Sequence, residues 1–214
     1  MISISGIEYQ KELESLPFFN KSQARLLIGK TGRNLDAKLA QLKKVGYLVP
    51  LKKNLYVTDP YYQQTNRSFY GEYLAGILRS PSYLSLEYIL AKEGIIPEGI
   101  VNFTSITLKS SRTYKNVAGT FLYRNLKPIL FTGYIEDNWD EKIIRRATRA
   151  KALFDWLYLQ KLSHPNADLS GDLRINWDRL TFADINEFGG YVSLSQSAKM
   201  SRILKIIQKI YVHR

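Results

Sequence analysis

Arg33, Asn34, Ala37, Lys38 and Gln41 follow one another at steps of one, three, one and three residues. On a helix that spacing places all five on one face. The residue types suit base edges, where a guanidinium pairs with guanine and a carboxamide with adenine. These five are the candidate base-reading set. Around them lie Lys21, Lys30, Lys43, Lys44, Lys52, Lys53 and Asn54, read as phosphate and wing contacts that would position a duplex without reading its sequence. With Arg25 included, residues 21–53 hold nine basic side chains against one acid, Asp36. A cluster of that sign is the footprint of a polyanionic partner, and a merely solvated helix face is the alternative.

Other chemistry is sparse. The chain has no Cys, which removes disulfides, thiolate metal sites and thiol nucleophiles. Its two His are not at a metal-ligand spacing, and His164 precedes Pro165 with no nucleophile nearby. Glu136, Asp137, Asp140 and Glu141 offer the oxygen ligands that Mg2+ takes. Placed in one polar loop ahead of Lys142, Arg145, Arg146, Arg149 and Lys151, they read better as solvated surface. Lys151 and Asp155 are one helical turn apart and would pair, and Ser85 reads as a helix cap. No catalytic residue, metal or cofactor is expected.

The elements that must position the basic cluster are legible. Residues 7–16 form a helix with Leu13 and Leu16 inward, ended by Pro17. Asn20 and Gln23 make a capping box for a short helix over 21–28. Gly29-Lys30-Thr31-Gly32 then turns the chain tightly. A longer helix over 33–45 carries Leu35, Leu39, Leu42 and Val45 as an apolar stripe and is closed by Gly46. Extended runs at 47–51 and 55–58 flank Lys52-Lys53-Asn54, with Asn54 taking the left-handed turn of a hairpin. This order predicts a winged helix-turn-helix over residues 1–60, whose second helix enters the major groove. A winged helix used only for protein contacts is the alternative.

Residues 59–66 have linker character, and 67–214 read as a second domain. A helix over 68–78 leads to a strand and helix within 82–98, the helix closed by Gly94. Runs at 101–109, 112–115, 120–124, 129–134 and 143–147 are rich in Thr, Tyr, Phe and Ile and predict an antiparallel sheet. Residues 148–162 form a helix apolar on most sides, central to its domain. A surface loop over 163–173, a short helix over 181–187 and a long one over 193–210 complete the chain. The last helix sets Met200, Ile203, Leu204, Ile207, Ile210 and Tyr211 against Arg202, Lys205 and Lys209. The expected fold class is α+β: an N-terminal winged helix-turn-helix followed by a mixed domain with an antiparallel sheet and C-terminal helices.

Several of these segments together resemble a known family. Leu16-Pro17-Phe18-Phe19 and the run from Gly46 to Val57 are similar to the N-terminal domain of AbiEi-type antitoxins of type IV toxin–antitoxin, phage-defence systems. Asn54 takes the place of the family's wing glycine. Four further blocks recur in the family's order: Ser82-Tyr83-Leu84-Ser85-Leu86-Glu87 with Gly94-Ile95-Ile96-Pro97-Glu98, then Thr104-Ser105-Ile106-Thr107, then Gly119-Thr120-Phe121-Leu122-Tyr123-Arg124, then Ala147 to Asp155. The chain departs from the pattern at Tyr88-Ile89-Leu90, where small residues are usual, and at Arg149-Ala150, where acids are common. Residues 163–214 match only loosely. The resemblance implies a repressor that binds operator DNA, often inverted repeats, and an antitoxin that neutralises a cognate nucleotidyltransferase-type toxin. It assigns no residue to neutralisation.

Composition bounds the rest. The 214 residues carry a net charge of +12 with 45% hydrophobic residues, enough to bury a core and too apolar for a disordered chain. No apolar stretch is long enough to span a membrane, and the opening Met-Ile-Ser-Ile-Ser-Gly lacks the character of a signal peptide. A cytoplasmic protein is expected, monomeric or weakly dimeric, pairing on DNA. Its expected partners are double-stranded operator DNA and a cognate toxin, with no membrane. Two other functions compete: a protein-interaction module acting only through its C-terminal domain, and a nucleic-acid enzyme using Asp137 and Asp140.

Overall fold

The computed structural model describes residues 4–99, 102–162 and 164–212. By internal contacts the chain divides into two units, Met1–Gly71 with Tyr114–Gly119, and Glu72–Thr113 with Thr120–Arg214.

The first unit opens with α1 (Ile4–Ser15), β1 (Phe19–Asn20), α2 (Lys21–Ile28) and α3 (Gly32–Lys44). Asn20 starts α2 through the expected box: its side chain accepts the Gln23 N–H at 2.9 Å, and the Gln23 side chain accepts the Asn20 N–H at 2.9 Å. Gly29, at φ 69°, ends the helix in the left-handed region. Leu35, Leu39 and Leu42 of α3 are buried with Leu13, Phe19, Ala24, Leu48 and Tyr56 in one cluster. Val45 departs from the expected stripe and is 69% exposed, because it is the residue after the last helical turn and its side chain leaves the row. Then β2 (Leu48–Lys52) and β3 (Leu55–Thr58) form an antiparallel hairpin, and β1 adds to the far side of β3.

Residues 59–66, expected as a linker, instead hold α4 (Asp59–Gln64). The hydroxyl of Thr58 accepts the Tyr61 N–H, and Pro60 lies in the first turn, where its missing donor costs nothing. Tyr62 is buried and donates its hydroxyl to the Val117 carbonyl at 3.0 Å. That burial is the tertiary gain which a polar-looking DPYYQQTN composition conceals. The next helix, α5 (Arg67–Leu78), contains the division between the units.

The chain continues through β4 (Ser82–Leu84), α6 (Glu87–Lys92), β5 (Phe103–Thr107), β6 (Arg112–Asn116) and β7 (Gly119–Asn125), of which Tyr114–Asn116 and Gly119 fall in the first unit. It ends with β8 (Tyr134–Trp139), β9 (Lys142–Ala147), α7 (Arg149–Leu159), the single turn α8 (Pro165–Ala167), α9 (Phe182–Ser195) and α10 (Ala198–Val212). In the second unit five strands lie in one sheet in the order β7-β5-β4-β9-β8. The β4–β5 and β8–β9 pairs are antiparallel, whereas β5–β7 and β4–β9 are parallel. The fold is thus α+β with antiparallel pairs and C-terminal helices, but its sheet is mixed. Helix α7 is buried from Ala150 to Leu157, as expected of a central helix. Its C-terminal carbonyls are closed from outside: the Lys199 ammonium donates to Leu157, Tyr158 and Gln160.

Four expected boundaries move. Residues 129–134 are not a strand; Pro128 opens a one-turn helix over Pro128–Leu130, and β8 begins only at Tyr134. Glu136 and Asp137 therefore lie in a strand rather than a loop. The helix expected over 181–187 runs on to Ser195, since Gly189 and Gly190 do not break it, and Gln196 at φ 50° ends it. The last helix accordingly starts at Ala198 instead of 193. In the expected loop 163–173, residues 165–172 are helical turns that bury Leu169. Val101 and Ser163, which fall in expected segments, lie outside the described residues. No helix among the described residues is long and apolar enough to cross a membrane.

Candidate nucleic-acid interface

Burial of Leu35, Leu39 and Leu42 fixes the rotation of α3, and the opposite face follows from the 3.6-residue period. Arg33, Asn34, Ala37 and Gln41 are exposed on it. Lys38 is half-buried and directs its ammonium toward the Gln41 side-chain oxygen at 3.4 Å. The five expected base-reading residues therefore share one outward surface. Asp36, the one acid of the region, is paired with Lys21 at 2.5 Å on the solvent side. The pair removes a like-for-like repulsion toward an anionic partner and uses Lys21 in doing so.

The remaining bases are differently placed. Lys30, Arg33, Lys44 and Lys53 have no ion pair among the described residues, and all four are exposed. The Lys43 ammonium lies 5.9 Å from the centre of the Tyr56 ring, a cation–π position that holds it beside the hairpin. Lys52 is half-buried, while Lys53 and Asn54 form an exposed tip. Asn54 adopts φ 59°, the left-handed turn that its short polar side chain tolerates. The base of the hairpin is anchored through Tyr47, whose hydroxyl donates to Glu14 at 2.8 Å. Burial, with the Glu14 carboxylate beside it, holds this phenol well above its ordinary value, so it stays a donor.

The candidate polar residues of the second unit serve another purpose. Lys151 and Asp155 do pair, and both side chains are fully buried. Ser85 is not a helix cap: Leu86 occupies that position, and the Ser85 hydroxyl donates to Asp155 at 2.8 Å. Tyr83 donates to the same carboxylate oxygen at 3.0 Å. Burial pushes Asp155 up, against the pull of Lys151, Ser85 and Tyr83, and pushes Lys151 down against the pull of Asp155. The acids of the 136–141 stretch are distributed among bases, with Glu136 on Arg145, Asp137 on Arg146 and Asp140 on Lys142. Among the described residues no three His, Asp or Glu side chains come together in a way that could hold a metal ion.

Glu72 carries a network that sequence reasoning missed. Its side chain is fully buried and receives Tyr88, Lys92 and Arg146. Those partners are 16, 20 and 74 residues away, so no local spacing announces them. The one available signal was a lone acid inside the apolar run Tyr70-Gly71-Glu72-Tyr73-Leu74-Ala75. Buried carboxylates are rare unless paired, which makes such an acid a candidate for a network. No protein-family model matches the chain, and no curated protein matches it either.

Proposed function

We propose that the first unit is a winged helix-turn-helix that binds duplex DNA, with α3 in the major groove and the β2–β3 tip on the backbone. One observation carries this reading: the face of α3 opposite its buried leucines presents Arg33, Asn34, Ala37, Lys38 and Gln41, and the one acid nearby is already neutralised by Lys21. Arg, Asn and Gln supply donors and acceptors for base edges. Lys30, Lys44 and Lys53 supply unpaired charge for phosphates, with Lys43, Lys52 and Asn54 beside them. In this reading the protein is a DNA-binding autorepressor. The resemblance of residues 82–155 to AbiEi-type antitoxins extends the proposal to a second role, counteracting a cognate nucleotidyltransferase-type toxin without catalysis of its own.

The test is binding of the purified chain to its own upstream DNA and to a scrambled duplex at two salt concentrations. Preference for the upstream DNA, falling steeply with salt as counterions are released, is the expected result. Equal or absent binding would leave the N-terminal unit a scaffold. Co-expression with the neighbouring gene then tests the antitoxin role, which predicts rescue of growth by the full chain.

A further inference from the structure

The start of α6 and the end of α7, together with β5 and β7, line an open cleft in the second unit with a cavity volume of about 120 Å3. Leu86, Leu122, Leu159 and the indole of Trp156 make the apolar part of its wall, and Glu87, Thr104, Arg124 and Gln160 the polar part. Three of these polar side chains keep free capacity. Glu87 accepts the Trp156 indole N–H at 3.1 Å on one oxygen, and its second oxygen has no partner among the described residues. Gln160 uses its main chain, donating to the Trp156 carbonyl and accepting from Lys199, while its side-chain amide has no partner among the described residues. Arg124 is exposed at the cavity, and its side chain has no hydrogen bond or ion pair among the described residues.

The wall also stores backbone strain. Leu86 adopts φ 61° and ψ −145°, a conformation that glycine ordinarily occupies, at the sharp turn from β4 into α6. Such a residue is strained and persists only where its surroundings over-determine it, which is the habit of ligand sites. Here they do. The Ser85 N–H donates to the Thr104 carbonyl at 3.0 Å, and the Thr104 hydroxyl donates back to the Ser85 carbonyl at 2.6 Å while accepting the Tyr88 N–H at 3.0 Å. The Ser85 side chain is held by Asp155. The turn is clamped on three sides, and the cavity it borders is formed in advance.

We propose that this cavity binds a 5′-mononucleotide whose base carries an exocyclic amino group, adenine first. The volume admits one ring system, and Trp156 with three leucines gives that ring an apolar and aromatic bed. A glutamine amide matches the amino and ring-nitrogen edge of adenine, and a carboxylate oxygen accepts from an exocyclic amine. Arg124 then takes the phosphate outside the cavity, where a guanidinium fork binds it in two places. The Thr104 hydroxyl is spent on the backbone and the turn residue is a leucine, so the site binds its ligand without attacking it. The inference is independent of DNA binding and is tested without DNA.

Calorimetric titration of the full chain with adenosine 5′-monophosphate should give saturable binding at one site. Inosine 5′-monophosphate, which lacks the amino group, should bind about tenfold more weakly. Arg124→Gln should weaken the adenosine nucleotide by about tenfold or more, since it removes a charged hydrogen bond. Gln160→Leu should bring the adenosine and inosine nucleotides closer together in affinity. Arg124 is exposed and the Gln160 side chain is unpartnered, so neither variant should alter the melting temperature appreciably. The proposal is overturned if the wild-type chain shows no saturable binding of the adenosine nucleotide. It is equally overturned if Arg124→Gln leaves that binding unchanged, or if ribose 5-phosphate binds as well as the nucleotide.

Discussion

In the first unit Lys30, Arg33, Lys44 and Lys53 reach solvent with no ion pair among the described residues, whereas in the second Lys151 and Arg146 are held by Asp155, Glu72 and Asp137. The physical stakes differ accordingly. An exposed, unpaired cation costs almost nothing in water and remains available to an anionic partner. A buried one is costly unless its counter-charge and hydrogen bonds are in place, and it is then committed to the fold. Changes in the second unit should therefore register in stability, and changes in the first in affinity.

The sharpest way to break that contrast is Asp155→Ala. It would strand the Lys151 ammonium beside Tyr83, Phe154 and Tyr191 in the interior. Removing one partner of a buried pair typically costs about 3–5 kcal/mol, and replacing both with apolar groups costs far less. Urea unfolding of Asp155→Ala should show a loss of that order, and Lys151→Met with Asp155→Leu should recover only part of it, because the buried Ser85 and Tyr83 hydroxyls still lose their acceptor. If the single variant unfolds like the parent, the pair is not a fold determinant.

Glu72 gives the same contrast a pH signature. Burial works to raise its pKa, but the hydrogen bonds from Lys92, Tyr88 and Arg146 and the charge of Arg146 prevail and leave it below the ordinary value. The unfolded chain thus takes up this proton more readily than the folded one. The stability Glu72 contributes is complete above the ordinary carboxylate pKa and is lost as pH falls through the lowered folded value. Melting temperatures followed downward from neutral pH should fall more steeply for the parent than for Glu72→Gln. At neutral pH that variant should be less stable by about 2–3 kcal/mol.

In the first unit the expected effects leave stability alone. Arg33→Ala should cost about 1–3 kcal/mol of binding to the preferred DNA and relax its sequence preference. Lys53→Ala should weaken all duplexes alike and lower the salt slope by about one. Neither should shift the melting temperature, because neither side chain touches the core. If both variants bind DNA as the parent does, α3 is not the reading helix.

The two units were also unequally legible in the sequence. The Asn20–Gln23 box, the leucine stripe of α3 and the Asn54 turn are all written within a few residues of where they act. Each could be read from spacing and backbone preference alone. In the second unit, the strand direction of β5 against β7 depends on which segments meet, and a parallel pair has the same composition as an antiparallel one. The partners of Glu72, Ser85 and Leu86 come from distant parts of the chain. Ser85 followed by Leu86-Glu87 carries a fair capping pattern, yet the hydroxyl goes to Asp155 because burial makes that carboxylate the stronger demand. Lys151 and Asp155 show the limit from the other side, since their helical spacing announced a pair but could not announce its depth.

The smallest predicted effect compares the two hairpins directly. In the first unit one residue, Asn54, carries the left-handed conformation at φ 59°. The β8–β9 hairpin turns through just Asp140 and Glu141, at φ 47° and 61°, between the facing residues Trp139 and Lys142. A two-residue turn with both positions left-handed favours Asn-Gly, and Glu at the second position meets the steric cost of the left-handed region in full. Asp140→Asn with Glu141→Gly should therefore stabilise the chain by about 1 kcal/mol. The lost contact from Asp140 to Lys142 offsets little of this, because the Asp140 side chain is 75% exposed and such pairs are weak in water. Asn54→Gly should change stability by only a few tenths of a kcal/mol, since asparagine already tolerates its conformation there. A thermal melt of both variants decides the matter: equal gains would mean that the two turns carry equal strain, and the difference between Asn54 and Glu141 would then lie elsewhere than in the backbone.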